Sequence, residues 1–258
     1  MRKIKSKRIV IKIGTNTLTD GKGMLDLKLI SSLVSQIAKI KSKRDIVIIT
    51  SGAIGAGMQE LKLKERPKDV VMKQVCAAVG QNILMSAYKS LFDKHKIKIA
   101  QILLKYDDIA DKDTYKNLRN SMEKLLELGV IPIINENDPI SINEIGPSFG
   151  DNDNLSALIA TKIKADLLIA LTNVDGLYNK NPTERGSLLI KEVKNIDKRI
   201  ESMAGKSASL GIGGMKAKIE AAKKATKEGV IVVIANGRAQ NVLIRILNNE
   251  EIGTIIYG

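Results

Sequence analysis

Apolar and polar positions along the chain alternate between two rhythms. Near-continuous apolar runs recur at Arg8-Ile9-Val10-Ile11-Lys12-Ile13, at Asp45-Ile46-Val47-Ile48-Ile49-Thr50, and at Ile97 to Leu104, Val130 to Ile134, Leu167 to Leu171 and Val230 to Ile234. Between them apolar residues return at helical spacing, as around Ile30 to Ile40. Strands apolar along their whole length are buried on both faces, and their alternation with helices predicts an α/β fold with a largely parallel sheet. The stretch Tyr178 to Lys194, with Asn181-Pro182 and Arg185-Gly186, breaks the pattern and predicts a turn-rich hairpin excursion. With no repeat, low-complexity linker or sharp change of composition, residues 1–258 are expected to form one domain, with room for two lobes.

The most informative stretch runs from Ile131 to Asn154. An apolar run ends abruptly in Asn135-Glu136-Asn137-Asp138, and after a short excursion Gly150-Asp151-Asn152-Asp153-Asn154 leads into the helical pattern Leu155-Ser156-Ala157-Leu158-Ile159-Ala160. One such cluster is accounted for by a helix cap or a turn. Two in succession exceed what one helix start requires and suit the grip of a small ammonium-bearing ligand. Open α/β sheets build their sites beyond the carboxyl ends of the strands, where this cluster falls.

Composition narrows the chemistry. Of 258 residues, 44% are hydrophobic but only 3% aromatic, so the core is aliphatic. No apolar run approaches membrane-spanning length. The basic N-terminus, Met1 to Arg8, leads into a strand pattern instead of a signal-peptide core, so a cytoplasmic protein is expected. The single cysteine, Cys76, lies in an apolar segment and excludes an internal disulfide framework or a cysteine-cluster metal site. The single histidine, His95, lies in a polar helix end, which leaves a Ser-His-Asp or Cys-His hydrolase without material. The formal charge of +14 asks for an acidic partner. Scattered lysines and few aromatics disfavour nucleic acid, whereas phosphorylated or carboxylate substrates fit the same field.

Four glycine-bearing junctions fall where strands end or helices begin: Lys12-Ile13-Gly14-Thr15-Asn16, Thr50-Ser51-Gly52-Ala53-Ile54-Gly55-Ala56-Gly57, Thr172-Asn173-Val174-Asp175-Gly176, and Gly211-Ile212-Gly213-Gly214-Met215-Lys216-Ala217-Lys218. Glycine lets backbone N–H groups approach an oxyanion, and a helix N-terminus adds partial positive charge. Neither the P-loop pattern nor the dinucleotide fingerprint is matched. Lys12 interrupts an apolar strand, which by itself means an edge or snorkelling position. Lys218 opposes the dipole of the helix it opens unless an anion lies nearby. Both anomalies disappear if the two ammonium groups face a phosphate.

In this order, these stretches resemble the amino acid kinase family, and within it the members that phosphorylate glutamate. The most specific are Thr50 to Ile54, Ile133 to Asp138, and Gly150 to Ala157. The resemblance implies a three-layer αβα sandwich around a mainly parallel eight-stranded sheet. It implies a glutamate-binding lobe over about 1–165 and a nucleotide-binding lobe over about 166–258. The expected reaction is phosphorylation of the γ-carboxylate of L-glutamate by ATP with Mg²⁺, giving L-glutamyl 5-phosphate, the first step of proline synthesis. Carried over by motif, Lys12, Lys218 and Asp153 are catalytic. Ser51, Gly52, Ala53, Asn135, Asp138 and Asn152 hold glutamate. Lys12, Gly14, Thr172, Asn173, Ile212, Gly213, Gly214, Met215, Lys216, Ala217 and Lys218 hold the nucleotide. Mg²⁺ is expected on the ATP phosphates, with no direct protein ligand. Without the family context, Asp153 also suits a helix N-terminus, and Asp138 an Asp-Pro turn.

The chain departs from the family pattern at Asn173, where Asp is usual, at Ile212, where a hydroxyl residue is common, and at Ala217, where Thr is common. The chain stops after Thr254-Ile255-Ile256-Tyr257, so the C-terminal RNA-modification-type domain of many members is expected to be absent. The resemblance also implies a homo-oligomer, dimer or tetramer, inhibited by proline, with neither a nucleic-acid nor a membrane partner. Two alternatives compete: another small-molecule kinase of the same fold, and a catalytically silent nucleotide-binding regulatory protein.

Overall fold

The computed structural model describes residues 4, 6–20, 23–140, 152–206 and 214–258. Strand β1 (Arg8–Ile13) is followed by helices α1 (Thr15–Leu18) and α2 (Leu27–Lys41), strand β2 (Asp45–Ile49), and helices α3 (Ala53–Glu60) and α4 (Val70–Asp93). Strand β3 (Ile99–Leu104), helices α5 (Tyr106–Ala110) and α6 (Lys112–Glu127), strand β4 (Ile131–Glu136) and a 3-10 turn at Asp138–Ile140 come next. The remainder is α7 (Asn152–Lys162), β5 (Leu167–Thr172), β6 (Glu192–Val193), α8 (Lys198–Lys206), α9 (Met215–Lys227), β7 (Ile231–Asn236), α10 (Val242–Leu247) and β8 (Thr254–Ile256). The expected α/β class is the one found: eight mainly parallel strands among the described residues, alternating with helices.

The chain divides into two units, Met1–Ile13 with Gly150–Gly258, and Gly14–Phe149. In the first, the strands run in the order β1-β5-β7-β8-β6. There β1, β5 and β7 are parallel, while β8 is antiparallel to β7. Strand β5 is buried at every residue, as a central strand covered on both faces must be. The expected hairpin over Tyr178 to Lys194 is a short one: Asn179 N–H donates to the Leu188 carbonyl and Ile190 N–H to the Leu177 carbonyl around the antiparallel bridge of Tyr178 to Leu189, and the segment's last residues form β6 alongside β8.

In the second unit the order is β3-β4-β2, all parallel. Strand β4 runs past its apolar run, so that Asn135 and Glu136 still pair with Leu103 and Leu104. The polar cluster therefore begins inside the ladder, where its side chains inherit the strand's fixed direction. Helices α2, α4 and α6 start at Asp26, Asp69 and Asp111, whose carboxylates accept the N–H groups of Leu29, Met72 and Thr114. Such caps satisfy donors that the first helical turn leaves without partners.

Helices α3 and α4 meet at two glycines. A Cβ at Gly57 would lie 1.9 Å from the carbonyl oxygen of Cys76, and one at Gly80 would lie 1.8 Å from that of Ala53. Only glycine allows this approach, which fixes the depth of α4 against the segment that follows β2. No helix among the described residues is long and apolar enough to cross a membrane.

Gly80→Ala is expected to force α3 and α4 apart and to cost about 1–3 kcal/mol, the usual range for overpacking. A thermal melt would read this as a drop of roughly 2–4 °C per kcal/mol for a chain of this size. An unchanged melting temperature would mean that the crossing yields without strain.

Candidate active site

Along β1 successive side chains point to opposite faces, so Lys12 shares its face with Val10. Helix α7 packs on β1 and also on α9, which brings the first turns of both helices to the carboxyl end of that strand. Asp153 stands in the first turn of α7, and Lys218 in the first turns of α9. Lys12 Nζ lies 2.6 Å from Asp153 Oδ1, and Lys218 Nζ lies 2.8 Å from Asp153 Oδ2. Exposure is 3% for Lys12, 1% for Asp153 and 7% for Lys218, so all three charges are out of water.

Burial pushes the Asp153 carboxyl toward the neutral form, but the two ammonium groups and their hydrogen bonds outweigh it and hold its pKa below the usual carboxylate range. Each buried ion costs several kcal/mol in lost hydration, and apolar residues of the same volume would often fold as well. Stability is therefore a poor reason for the cluster. Two cations held by one carboxylate, each oxygen taking one, form a preorganised site for a group that gains negative charge.

The residues expected to hold the nucleotide fall in both units. Thr172 ends β5, two residues beyond the Ala170 that pairs with Lys12. It is 8% exposed, and its hydroxyl donates to Asn173 Oδ1 at 3.3 Å. Gly214 caps α9 with no side-chain hydrogen bond, so the N–H groups of Met215, Lys216 and Ala217 open the helix with no side-chain cap from that residue. Lys216 does not join the buried cluster: its side chain is 75% exposed, 4.0 Å from Glu220. Gly14 caps α1 in the other unit. Ile212 and Gly213 lie outside the described residues.

A further group at these strand ends escaped the sequence reading. Asn236, the last residue of β7, donates its Nδ2 to Asp175 Oδ1 at 2.9 Å, and the Tyr178 hydroxyl donates to Asp175 Oδ2 at 3.3 Å. Burial, then the Asp175 charge, raises the Tyr178 pKa, which keeps the phenol a neutral donor. Asp175 and Tyr178 flank the glycine junction after β5, but Asn236 comes from a distant strand, and spacing along the chain carries no sign of it.

The residues expected to hold the amino acid fall mainly in the other unit. Gly52 takes a left-handed conformation at φ 97° and caps α3, which begins at Ala53, so the turn Ser51-Gly52 requires glycine. Asn135, 2% exposed on β4, donates its Nδ2 to Gln81 Oε1 at 2.9 Å. Asp138 opens the 3-10 turn and is half-buried. Asn152 begins α7 in the unit of the lysine cluster. Thr50 Oγ1 and the Tyr88 hydroxyl share a buried hydrogen bond of 3.0 Å. Burial pushes the Tyr88 pKa up to about 12, with the Thr50 bond acting the other way. Gln81 and Tyr88 were not anticipated. Their one signal is that polar groups interrupt the otherwise apolar buried face of α4.

The profile described as "Amino acid kinase family" matches residues 7–236. A protein of Methanococcoides burtonii named glutamate 5-kinase is 45% identical over 97% of this chain and 68% of its own length. One of Clostridium acetobutylicum with the same name is 45% identical over 96% of this chain and 93% of its own length. Among solved structures, UMP kinase from Ureaplasma parvum superposes with a TM-score of 0.66 at 17% identity, over 99% of this chain and 100% of its own. Carbamate kinase from Giardia lamblia bound to AMP-PNP gives 0.66 at 18% identity, over 98% of each chain.

Lys12→Met and Lys218→Met are each expected to lower turnover by about 10²–10³-fold, the usual loss for one preorganised electrostatic donor. Their melting temperatures should fall by less than a fully broken buried pair would demand, because Asp153 keeps its other lysine. Near-normal turnover in either variant would remove that lysine from the catalytic group.

Because its folded-state pKa is depressed, Asp153 contributes stability that is fully present above its unfolded value of about 3.9 and is lost as pH falls through the lower folded value. The stability difference between wild type and Asp153→Asn should therefore be flat from about pH 8 to 5 and shrink only below about pH 4. Denaturant titrations across that range measure it, and a difference that shrinks already at neutral pH would contradict the assignment.

Proposed function

The chain belongs to the amino acid kinase family, and on that footing we propose that it catalyses ATP-dependent phosphorylation of the γ-carboxylate of L-glutamate, giving L-glutamyl 5-phosphate and ADP at the entry to proline biosynthesis. The observation that carries this reading is the convergence of Lys12 and Lys218 on the two oxygens of Asp153. The relatives named glutamate 5-kinase, one of them matched over 93% of its own length, support the choice of glutamate.

The chemistry suits such a site. A glutamate side chain has a pKa of about 4.3 and is already ionised at neutral pH, so attack on phosphorus needs no general base. A carboxylate oxygen forms the new bond to the γ-phosphorus of ATP as the bond from that phosphorus to the bridging oxygen of ADP breaks in line. Two anions must meet, and charge spreads over the transferring group. Lys12 and Lys218 neutralise that charge, and Asp153 fixes their direction. The first-turn N–H groups of α9 serve the phosphates that stay with ADP, a reading supported by the lack of a side-chain cap bond from Gly214. Asn135, Asp138, Asn152 and the Ser51-Gly52-Ala53 turn hold the amino acid, Asp138 taking its ammonium group.

No group of three His, Cys, Asp or Glu side chains among the described residues is placed to hold a metal ion, and Asp153 is committed to two lysines. Mg²⁺ belongs to this scheme as part of the MgATP substrate. The same reading includes a cytoplasmic homo-oligomer inhibited by proline.

Purified protein incubated with ATP, Mg²⁺, glutamate and hydroxylamine should accumulate the γ-glutamyl hydroxamate, whereas aspartate, acetylglutamate, carbamate and UMP should give little phosphoryl transfer. Added proline should suppress the glutamate reaction. Absence of hydroxamate, or faster transfer to UMP than to glutamate, would sink the proposal.

A further inference from the structure

The buried face of α4 is apolar apart from two groups, the amide of Gln81 and the hydroxyl of Tyr88. Each reaches the end of a different strand. The Tyr88 hydroxyl meets Thr50 Oγ1, one residue past β2, and Gln81 Oε1 accepts from Asn135 Nδ2 on β4. Strands β2 and β4 are parallel neighbours with Ile49 beside Ile134, so both bonds fall at the same edge, next to the Ser51-Gly52-Ala53 turn. The Gly57 and Gly80 crossing sets α4 at the depth these bonds need.

The two bonds differ in completeness. Gln81 uses its carbonyl oxygen on Asn135, but its Nε2 is buried with no hydrogen-bond partner among the described residues, in a side chain only 7% exposed. A buried N–H donor without an acceptor is costly, and native structures rarely keep one without a reason. One residue farther along β4, Glu136 is already half-buried, as are Asn137 and Asp138, so Asn135, which Gln81 holds, stands where the burial of the strand gives out.

We propose that Gln81 is a substrate-binding residue, whose Nε2–H group donates to a carboxylate oxygen of the amino-acid substrate while its Oε1 holds Asn135. This rests on the glutamate reading of the same site. Of the two carboxylates of glutamate, the non-reacting α-carboxylate fits the role. A donor on the attacking γ-carboxylate would withdraw charge from the nucleophile and slow transfer.

Two variants separate this role from simple support of Asn135. Gln81→Met keeps the side-chain length and removes both polar atoms. Gln81→Glu keeps an oxygen for Asn135 Nδ2 and replaces the NH₂ group. For both, the KM for glutamate should rise about 10- to 100-fold, as expected for one lost hydrogen bond to a charged group, with the KM for ATP within about twofold. The thermal shift produced by glutamate alone should disappear with it, while turnover at saturating glutamate falls far less. In Gln81→Glu the defect should ease as pH falls, because a buried carboxyl that regains its proton regains a donor, and wild type should show no such trend.

If Gln81→Glu keeps the wild-type glutamate KM and thermal shift at every pH, Gln81 only supports Asn135 and the proposal is overturned. Unaffected glutamate binding in both variants would overturn it equally. Should Gln81→Met fail to fold, Gln81→Glu, which preserves the Asn135 bond, decides alone. A wild-type protein that shows neither a glutamate-induced shift nor acyl phosphate would instead sink the reading of the site as a glutamate site.

Discussion

The Asp153 carboxylate, shared between the ammonium groups of Lys12 and Lys218, is the interaction on which the candidate site depends. Its three members come from β1, α7 and α9, and each of those elements is placed by apolar packing that has nothing to do with charge. Ile9, Ile11 and Ile13 bury one face of β1, which leaves Lys12 aimed at the other. The packing of α7 on both β1 and α9 then lets one carboxylate meet both lysines. Without Asp153, two like charges would be held together in a medium where their repulsion is poorly screened. With it, each cation has a fixed partner and a fixed direction before any substrate arrives.

How far this could be read from the chain depends on whether a feature is local. The β-branched runs announced the strands, and their alternation with helical spacing announced a parallel sheet, because burial on both faces demands apolar residues at every strand position. Lys12 and Lys218 were conspicuous for a related reason: each violates a local rule, one of strand burial and one of helix polarity. The bonds of Gln81 to Asn135 and of Asn236 to Asp175 violate nothing locally. Their partners are 54 and 61 positions apart, and no periodicity links residues at that range. Lys216 shows the converse limit. It lies inside a motif-like stretch, yet helical geometry turns it outward, because a residue two positions from Lys218 faces the other way.

The charge of the whole chain and the charge of the site act on different scales. A formal +14 draws in anions over distances of about a Debye length, roughly 8 Å at physiological ionic strength, and salt weakens it. The buried lysines act at contact range, where salt has little access, and Asp153 keeps them from repelling each other. This division fits a reaction between two anions, in which steering brings the partners together and fixed local charge lowers the barrier to transfer.

Selectivity asks more of the site than charge. Glutamate and aspartate carry the same groups and differ by one methylene, which an apolar pocket distinguishes by only about 1–3 kcal/mol. A site whose polar groups stay unpaired unless the right ligand reaches them discriminates far more strongly, because a misplaced ligand leaves buried donors unmet. A buried amide held by Asn135 on one side and lacking an acceptor among the described residues on the other is a group of that kind. Its position is set by the glycine crossing of α3 and α4 and by the Tyr88 bond to Thr50. An amino acid whose carboxylate misses Gln81 leaves that donor unmet, and the energy of a buried orphan donor is then added to the small apolar difference.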